Sequence, residues 1–248
     1  MSHKARNTLT RYLASTLGLL LVALGIALSI ISNLGTSPLS CPAYILSLWG
    51  RPSVGTFTII INTALIAVQL LVLRKDFKAK YLMQIPASVL FGYLIDFWMW
   101  ALSSLVPQTL LLRFALVLLG CVITAVGVSL EVGSQGWMLS AEMTVYSFTK
   151  VCSKPFGTLK VWMDCIYVVL AAGLSFLLFR NPFGAGTFTS LPDVLLSRVE
   201  GVVIGLGTLI LAVLPGFLMR WSDPVVDKAL SRMKRRDADN KWRRTFNS

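Results

Sequence analysis

The feature that most constrains this chain is a series of long apolar windows that contain no charged residue. Residues 13–31 form one of these windows, and comparable ones recur along the chain. About 20 consecutive apolar residues suffice for one helix to cross the hydrocarbon core of a bilayer. Only 14% of the 248 residues are charged, against about 25% in soluble domains. The windows therefore predict an all-α integral membrane protein with several transmembrane helices.

Apolar runs of spanning length occur six times. The predicted spans are residues 12–32, 54–73, 82–105, 111–131, 159–179 and 197–219. Two further segments, 33–53 and 132–158, are apolar but too short and interrupted to cross a bilayer. We expect a short re-entrant helix in each, over residues 37–49 and 137–149. The alternative is that both are interfacial helices with no cavity between them.

The distribution of basic residues indicates the orientation. Lys and Arg exceed Asp and Glu by 23 to 11, which gives a net charge of +12. Most basic residues lie near the N-terminus, in 74–80, in 150–160 and in the tail after 219. Two predicted spans separate each of these segments from the next, so all of them lie on the same side of the membrane. The positive-inside rule therefore predicts cytoplasmic N- and C-termini. A charge excess placed between apolar runs argues against nucleic-acid binding.

The chain also matches itself at a fixed offset of 102 residues. Ten identical pairs align without a gap: Arg11/Arg113, Leu17/Leu119, Gly18/Gly120, Ala23/Ala125, Gly25/Gly127, Leu28/Leu130, Ser32/Ser134, Tyr44/Tyr146, Gly55/Gly157 and Thr56/Thr158. Each unit would hold three spans, and an odd number inverts the second unit relative to the first. We therefore expect two inverted repeats, residues 1–105 and 106–220, an architecture frequent in secondary transporters, followed by a basic cytoplasmic tail, 221–248.

The starts of the two short segments are the candidate substrate site. Ser37 followed by Pro38 is a favourable helix start, and free N–H groups at such an end favour negative charge or polar oxygen. The candidate substrate-binding residues are Gly35, Thr36, Ser37, Ser40, Tyr44, Ser134, Gln135, Gly136, Glu142 and Tyr146. For Tyr44, a place in the core or the interfacial belt of aromatic residues is the alternative.

Carboxylates within apolar segments are costly and indicate function. The candidates for proton or ion coupling are Asp96, Glu131, Glu142 and Asp164. A local ion pair with Lys160, one helical turn away, is the alternative role for Asp164. The one histidine, His3, lies near the N-terminus, and the four cysteines have no metal-ligand spacing. We therefore expect no metal, no cofactor and no enzyme activity.

Several stretches resemble a known family. "GIALSIISNLGTSPLSCPAYILS" followed by "SVGTFTIIIN", then "YLMQIPASVLFGYLIDF" and "MLSAEMTVYSFTKVCSKPFGTLKVWMDC", are similar to motifs of the YczE/YitT-like bacterial membrane proteins. The resemblance covers roughly residues 10–215. It implies a bacterial cytoplasmic-membrane protein of an uncharacterised family. The chain departs from the pattern with Thr36 and Trp137.

These observations favour a secondary transporter of a small polar or anionic solute. The alternative is a non-transporting scaffold or accessory factor for a biosynthetic or secretion system. The expected partners are the lipid bilayer, the solute, and anionic lipid headgroups at the basic tail, which reads either as an amphipathic helix or as a solvated segment. A homodimer is a further expectation.

Overall fold

The fold consists of helices that pack on one another in a single bundle. The computed structural model describes residues 3–74, 79–134, 136, 138–152, 156–184, 202–215 and 218. Its α-helices are α1 (His3–Ser32), α2 (Cys41–Trp49), α3 (Val54–Leu73), α4 (Gln84–Ala101), α5 (Leu110–Ser134), α6 (Ser140–Cys152), α7 (Phe156–Phe179) and α8 (Leu206–Pro215). A 3₁₀-helix, Ala79–Met83, precedes α4. Within the described ranges the β-structure is a single antiparallel bridge between Gly184 and Val202.

Five helices are long and apolar enough to cross a membrane. Their spanning parts are Leu9–Ser32, Val54–Leu73, Tyr81–Ala101, Leu110–Ser134 and Thr158–Phe179. These agree with the first five predicted spans within a few residues, which confirms a multi-pass membrane protein. The sixth predicted span, 197–219, is described only in part, as the ten-residue α8. The predicted tail, 221–248, lies outside the described residues.

The closest helix pair is α1 against α5, and glycines make it possible. A Cβ atom added to Gly18 would lie 2.7 Å from the carbonyl oxygen of Gly127. One added to Gly120 would lie 2.9 Å from the carbonyl oxygen of Gly25. Residue numbers rise along α1 while their partners fall along α5, so the two helices are antiparallel. Their backbones come this close because none of the four positions carries a side chain.

The short helices pack in a crossed arrangement. Helix α2 packs on α7, where Cys41 and Ile45 meet Ala171, and α6 packs on α3. On α3, the amide of Gln69 donates to the carbonyl oxygen of Ser140 at 2.9 Å. Each short helix thus packs on a long helix from the other half of the chain.

Helix α2 begins later than the sequence predicts. The expectation was a start at Ser37 and Pro38, and the observed helix begins at Cys41. The Ser37 carbonyl accepts from Ser40 N at 2.8 Å and from Cys41 N at 3.0 Å, which forms a tight turn before the helix. Proline then occupies the first turn at position 42, where its missing N–H costs nothing. The expected start over 137–149 is likewise shifted, since α6 begins at Ser140.

Alanine at Gly18 or Gly25 is expected to force α1 away from α5. The added methyl group would meet backbone atoms of Gly127 or Gly120, and such overpacking costs about 1–3 kcal/mol. Gly18→Ala and Gly25→Ala should therefore lower the unfolding temperature of the detergent-solubilised protein. Gly173→Ala is the matched control, because a Cβ at this helical position meets nothing within 4 Å. Equal stability of all three variants would contradict the close crossing.

Candidate functional site

The segments that precede the two short helices meet inside the bundle. Leu39, just before α2, and Ala141, in the first turn of α6, belong to one buried cluster with Tyr167 of α7. Leu65 of α3 and Met163 of α7 pack against this cluster. Two pairs in it, Leu39 with Ala141 and Leu65 with Tyr167, are separated by 102 residues, the offset of the sequence match. The cluster thus joins positions that the self-alignment makes equivalent.

Both connections fold back along the long helix that they leave. After α1, the hydroxyl of Thr36 lies 3.1 Å from the hydroxyl of Ser29. After α5, the backbone N–H of Leu139 donates to the carboxylate of Glu131. Ser29 and Glu131 are again 102 residues apart. A side chain on each long helix therefore holds the returning chain, a hydroxyl in the first case and a carboxylate in the second.

The first connection also pairs with the segment before α8. Thr36 N donates to the Val203 carbonyl at 3.0 Å, and Gly207 N donates to the Leu34 carbonyl at 2.8 Å. Gly35 adopts a φ of +117°, which favours glycine, and an added Cβ would lie 2.8 Å from Gly205 N. These bonds satisfy irregular backbone that would otherwise be unpaired in an apolar surrounding.

Four charged side chains, here called the charged cluster, gather near the start of α6: Glu131, Glu142, Lys160 and Asp164. The Lys160 ammonium donates to Asp164 at 2.7 Å, one turn apart on α7. Glu131 and Glu142 are 0% and 2% exposed, and both act on Lys160 electrostatically. The local ion pair expected for Asp164 is present. Asp164 is not the only carboxylate that acts on Lys160, because Glu131 and Glu142 do so as well.

Several buried polar atoms here have no hydrogen-bond partner among the residues that the structure describes. They are Oε2 of Glu131, Oε2 of Glu142, the hydroxyl of Tyr167, the hydroxyl of Ser40 and Oδ1 of Asn62. Tyr167 lies within electrostatic range of Glu142 and Asp164. Leaving one buried polar group unpaired costs about 1–3 kcal/mol. All five atoms belong to residues on the segments that meet around Leu39, Ala141 and Tyr167.

Ser40 and Asn62 are the counterparts of the charged residues at the 102-residue offset. Ser40 aligns with Glu142, and Asn62 aligns with Asp164. Asn62 is one turn from Leu65 on α3 and is 1% exposed. Ser40 is 2% exposed and precedes Cys41, whose thiol is within electrostatic range of Asp164. Unpartnered atoms therefore occur at matching positions in both halves of the chain.

The other predicted binding residues are spread more widely. Ser37 is half-buried and its carbonyl closes the turn before α2. Tyr44 is half-buried and packs against two hydrophobic clusters, whereas Tyr146 is 43% exposed at the bundle surface. The self-alignment equates these two tyrosines, but their surroundings differ. Neither contributes an unpartnered polar atom to the site.

The last residue of α5 and Gly136 fix the α5–α6 connection to α1. The Ser134 carbonyl accepts from Nε of Arg11 at 3.0 Å, and its hydroxyl donates to the Glu131 carbonyl at 3.0 Å. A Cβ on Gly136 would lie 2.7 Å from the Arg11 carbonyl oxygen. These two residues therefore anchor the segment that leads to the site. Gln135, also predicted to bind, lies outside the described residues.

Asp96 lies apart from the charged cluster. Its carboxylate accepts from the Ser53 hydroxyl at 2.6 Å and from Gly55 N at 2.9 Å. Ser53 is the N-cap of α3 and accepts from Thr56 N. A carboxylate at this end satisfies free N–H groups and opposes the helix dipole. The geometry gives Asp96 a capping contact between α4 and α3.

Tyr167 is the site residue that sequence reasoning missed. It looks like an ordinary aromatic residue of an apolar helix. The one available signal was the 102-residue alignment, which places this phenol opposite the wholly apolar Leu65.

Comparison with known proteins identifies the family. A model of a family of unknown function (DUF6198) matches residues 9–192. The chain belongs to that family. The matched range includes every member of the charged cluster and both short helices. No curated protein and no solved structure matches the chain. The description of the family assigns no activity to its members.

Removing Lys160 alone is expected to be far more harmful than replacing the whole ion pair. Lys160→Met would leave Asp164, 4% exposed, without its counter-ion, at a cost of about 3–5 kcal/mol. The first half of the chain has Thr58 and Asn62 at the aligned positions. The double variant Lys160→Thr/Asp164→Asn should therefore unfold at a higher temperature than Lys160→Met. The reverse order would show that the pair has no structural role.

Loss of the Asp96 carboxylate should weaken the α3–α4 contact. Asp96→Ala removes both acceptors at the α3 N-terminus, which is expected to cost about 1 kcal/mol. Asp96→Asn keeps one side-chain oxygen that can accept from Gly55 N and should lose less. Unfolding temperatures of the two variants in detergent provide the comparison. An alanine variant as stable as wild type would argue against the capping role.

Proposed function

We propose that the chain is a secondary transporter of a small polar solute and that the charged cluster is part of its substrate site. The observation that carries this proposal is the set of unpartnered buried polar atoms where the α2 and α6 segments meet. Sites of transporters are typically formed where interrupted helices begin near the bilayer midplane. Polar groups without partners at such a position have a use only if a solute, water or a proton occupies them.

An inverted-topology repeat is part of the same proposal, with a re-entrant short helix in each half. Its support is the antiparallel α1–α5 crossing, with its contacts Gly18/Gly127 and Gly25/Gly120. The 102-residue offset replaces Gly18 by Gly120 and Gly127 by Gly25, so it converts one contact pair into the other. The crossed packing of α2 on α7 and of α6 on α3 exchanges in the same way. Such reciprocity is expected of a two-fold axis in the membrane plane.

The proposed cycle alternates access to the site between the two sides of the membrane. One half would rock against the other about the α1–α5 contact, a motion common to repeat-built transporters. Protonation of the glutamates would supply coupling, because buried carboxylates without counter-ions are costly. We place the protein in a bacterial cytoplasmic membrane with both termini inside, on the basic-residue distribution and the YczE/YitT-like motifs.

Uptake into liposomes tests the transport proposal. Purified full-length protein, reconstituted with a panel of labelled amines, amino acids and organic acids, should accumulate at least one of them above protein-free liposomes. Glu142→Gln and Asp164→Asn should each abolish that uptake, whereas Gly173→Ala should preserve it. Uptake that survives both cluster variants would rule out the site. No uptake of any compound would instead favour the accessory-factor alternative.

Reporter fusions test the inverted topology. Arg74 follows α3 and Arg180 follows α7, and these helices are equivalent in the proposed repeats. Alkaline phosphatase fused after Arg180 should be active, as it requires export, and a fusion after Arg74 should be inactive. Fluorescent-protein fusions at the same points should give the opposite pattern. The same side for both points would exclude inversion.

A further inference from the structure

The charge balance of the site indicates what kind of solute it accepts. The charged cluster contains three carboxyl groups and one ammonium, and the ion pair within it joins Lys160 to Asp164 at 2.7 Å. Glu131 and Glu142 each retain one buried oxygen that has no hydrogen-bond partner in the part of the chain that the structure describes. A buried carboxylate needs a counter-charge or a proton. The site is therefore short of positive charge.

Neutral polar groups beside the charged cluster would accept further hydrogen bonds from a ligand that has several N–H donors. Tyr167 is 5% exposed and Ser40 is 2% exposed, and their hydroxyls have no hydrogen-bond partner among the described residues. Tyr167 packs in one buried cluster with Ala141, the residue before Glu142, which places it beside the charged cluster. Together with the two glutamates, these groups offer four buried oxygens. Oxygens in this number suit a ligand that has several N–H donors.

The helix starts give little support to an anion. At α2, the N–H groups of Ser40 and Cys41 are bonded to the Ser37 carbonyl, and residue 42 is proline. At α6, the first turn already contains Glu142, and Leu139 N donates to Glu131. The positive ends of both helices are therefore largely occupied. The sequence suggests an anionic solute because free N–H groups are expected at the two helix starts. In the structure these helix starts are already occupied, so the basis for an anion is lost.

A metal ion also fits poorly. Among the residues that the structure describes, no three His, Cys, Asp or Glu side chains converge in a way that could hold one. The four free oxygens come from two carboxylates, a phenol and an aliphatic hydroxyl, which is not a compact set of hard ligands. A directional N–H donor matches them better.

We propose that the site binds a small organic cation, a protonated amine or a guanidinium, between Glu131 and Glu142, and that each cation that enters releases a proton. This inference rests on the proposed function and defines its substrate class. Charge balances because one positive charge replaces another at the carboxyl pair. Lys160 remains paired with Asp164 throughout, so the Asp164 carboxylate does not compete with the two glutamates for the cation. The exchange makes the transport reaction a proton–cation antiport.

Proton release depends on every group that faces the glutamates. On α5 and α6 these are Glu131 and Glu142 themselves, and on α7 they are Lys160, Asp164 and Tyr167. Because one proton is released for each cation bound, the apparent affinity for the cation should fall by up to about tenfold when the pH is lowered by one unit. Anion binding would show the opposite dependence.

A thermal-shift assay on the full-length protein in detergent tests the binding. Ethylammonium and guanidinium chlorides are the probes, with sodium chloride of equal ionic strength as the reference and sodium acetate as the anion. At least one cation probe should raise the unfolding temperature in a concentration-dependent way, since a ligand of the native state stabilises it. Glu142→Gln should remove the shift, and Asp96→Asn, an acid-to-amide change outside the charged cluster, should keep it.

Proton release from unmodified protein provides a second readout if Glu142→Gln fails to fold. Adding the active cation probe to weakly buffered protein with a pH dye should release protons in proportion to the cation bound. A shift with acetate alone, no shift with either cation, or cation binding without proton release would each overturn the inference.

The two proposals fail separately. A cation shift that Glu142→Gln removes, in a protein that transports nothing in liposomes, supports the cation site and refutes the transport proposal. Uptake of organic acids without any cation shift supports transport and refutes the cation site.

Discussion

The close antiparallel contact between α1 and α5 is the constraint on which the rest of the structure depends. Four glycines on two helices let the backbones touch near Gly18, Gly25, Gly120 and Gly127. Lipid tails are as apolar as leucine side chains, so membrane helices associate through such close packing of small residues rather than through the hydrophobic effect. With α1 and α5 held together, the connections that follow them start on opposite ends of the same pair. The short helices α2 and α6 then pack on α7 and α3.

A second constraint is that irregular backbone in an apolar surrounding must find hydrogen-bond partners. The connection before α2 finds them in Val203 and Gly207, and the one before α6 finds one in Glu131. In the connection before α6, the carboxylate of Glu131 accepts a hydrogen bond from the backbone N–H of Leu139. One oxygen of Glu131 does so and the other stays unpartnered. A residue that fixes the connection therefore also presents a free oxygen to the site.

Much of the fold follows from the sequence, but little of the site geometry does. The bounds of α3 agree with the predicted span 54–73 because Ser53 caps one end and the apolar run stops at the other. The start of α2 was placed too early, since capping preferences cannot reveal that the Ser37 carbonyl closes a turn first. Lys160 and Asp164 were paired by their spacing alone. That Asp96 caps α3 and that Tyr167 packs against Ala141 depends on contacts between helices, which no local pattern encodes.

Residues that align at the 102-residue offset differ in charge between the two halves of the chain. Ser29, Ser40, Thr58 and Asn62 in the first half align with Glu131, Glu142, Lys160 and Asp164 in the second. Every member of the charged cluster thus has a neutral, polar counterpart at the same offset. Neutral groups can hold a connection, as Ser29 does for Thr36, and they cost less to bury than carboxylates. Packing therefore does not require the second set to be charged. The charges add a stability cost in one half only, and ionisable residues within membrane-spanning helices are by default candidates for a functional role.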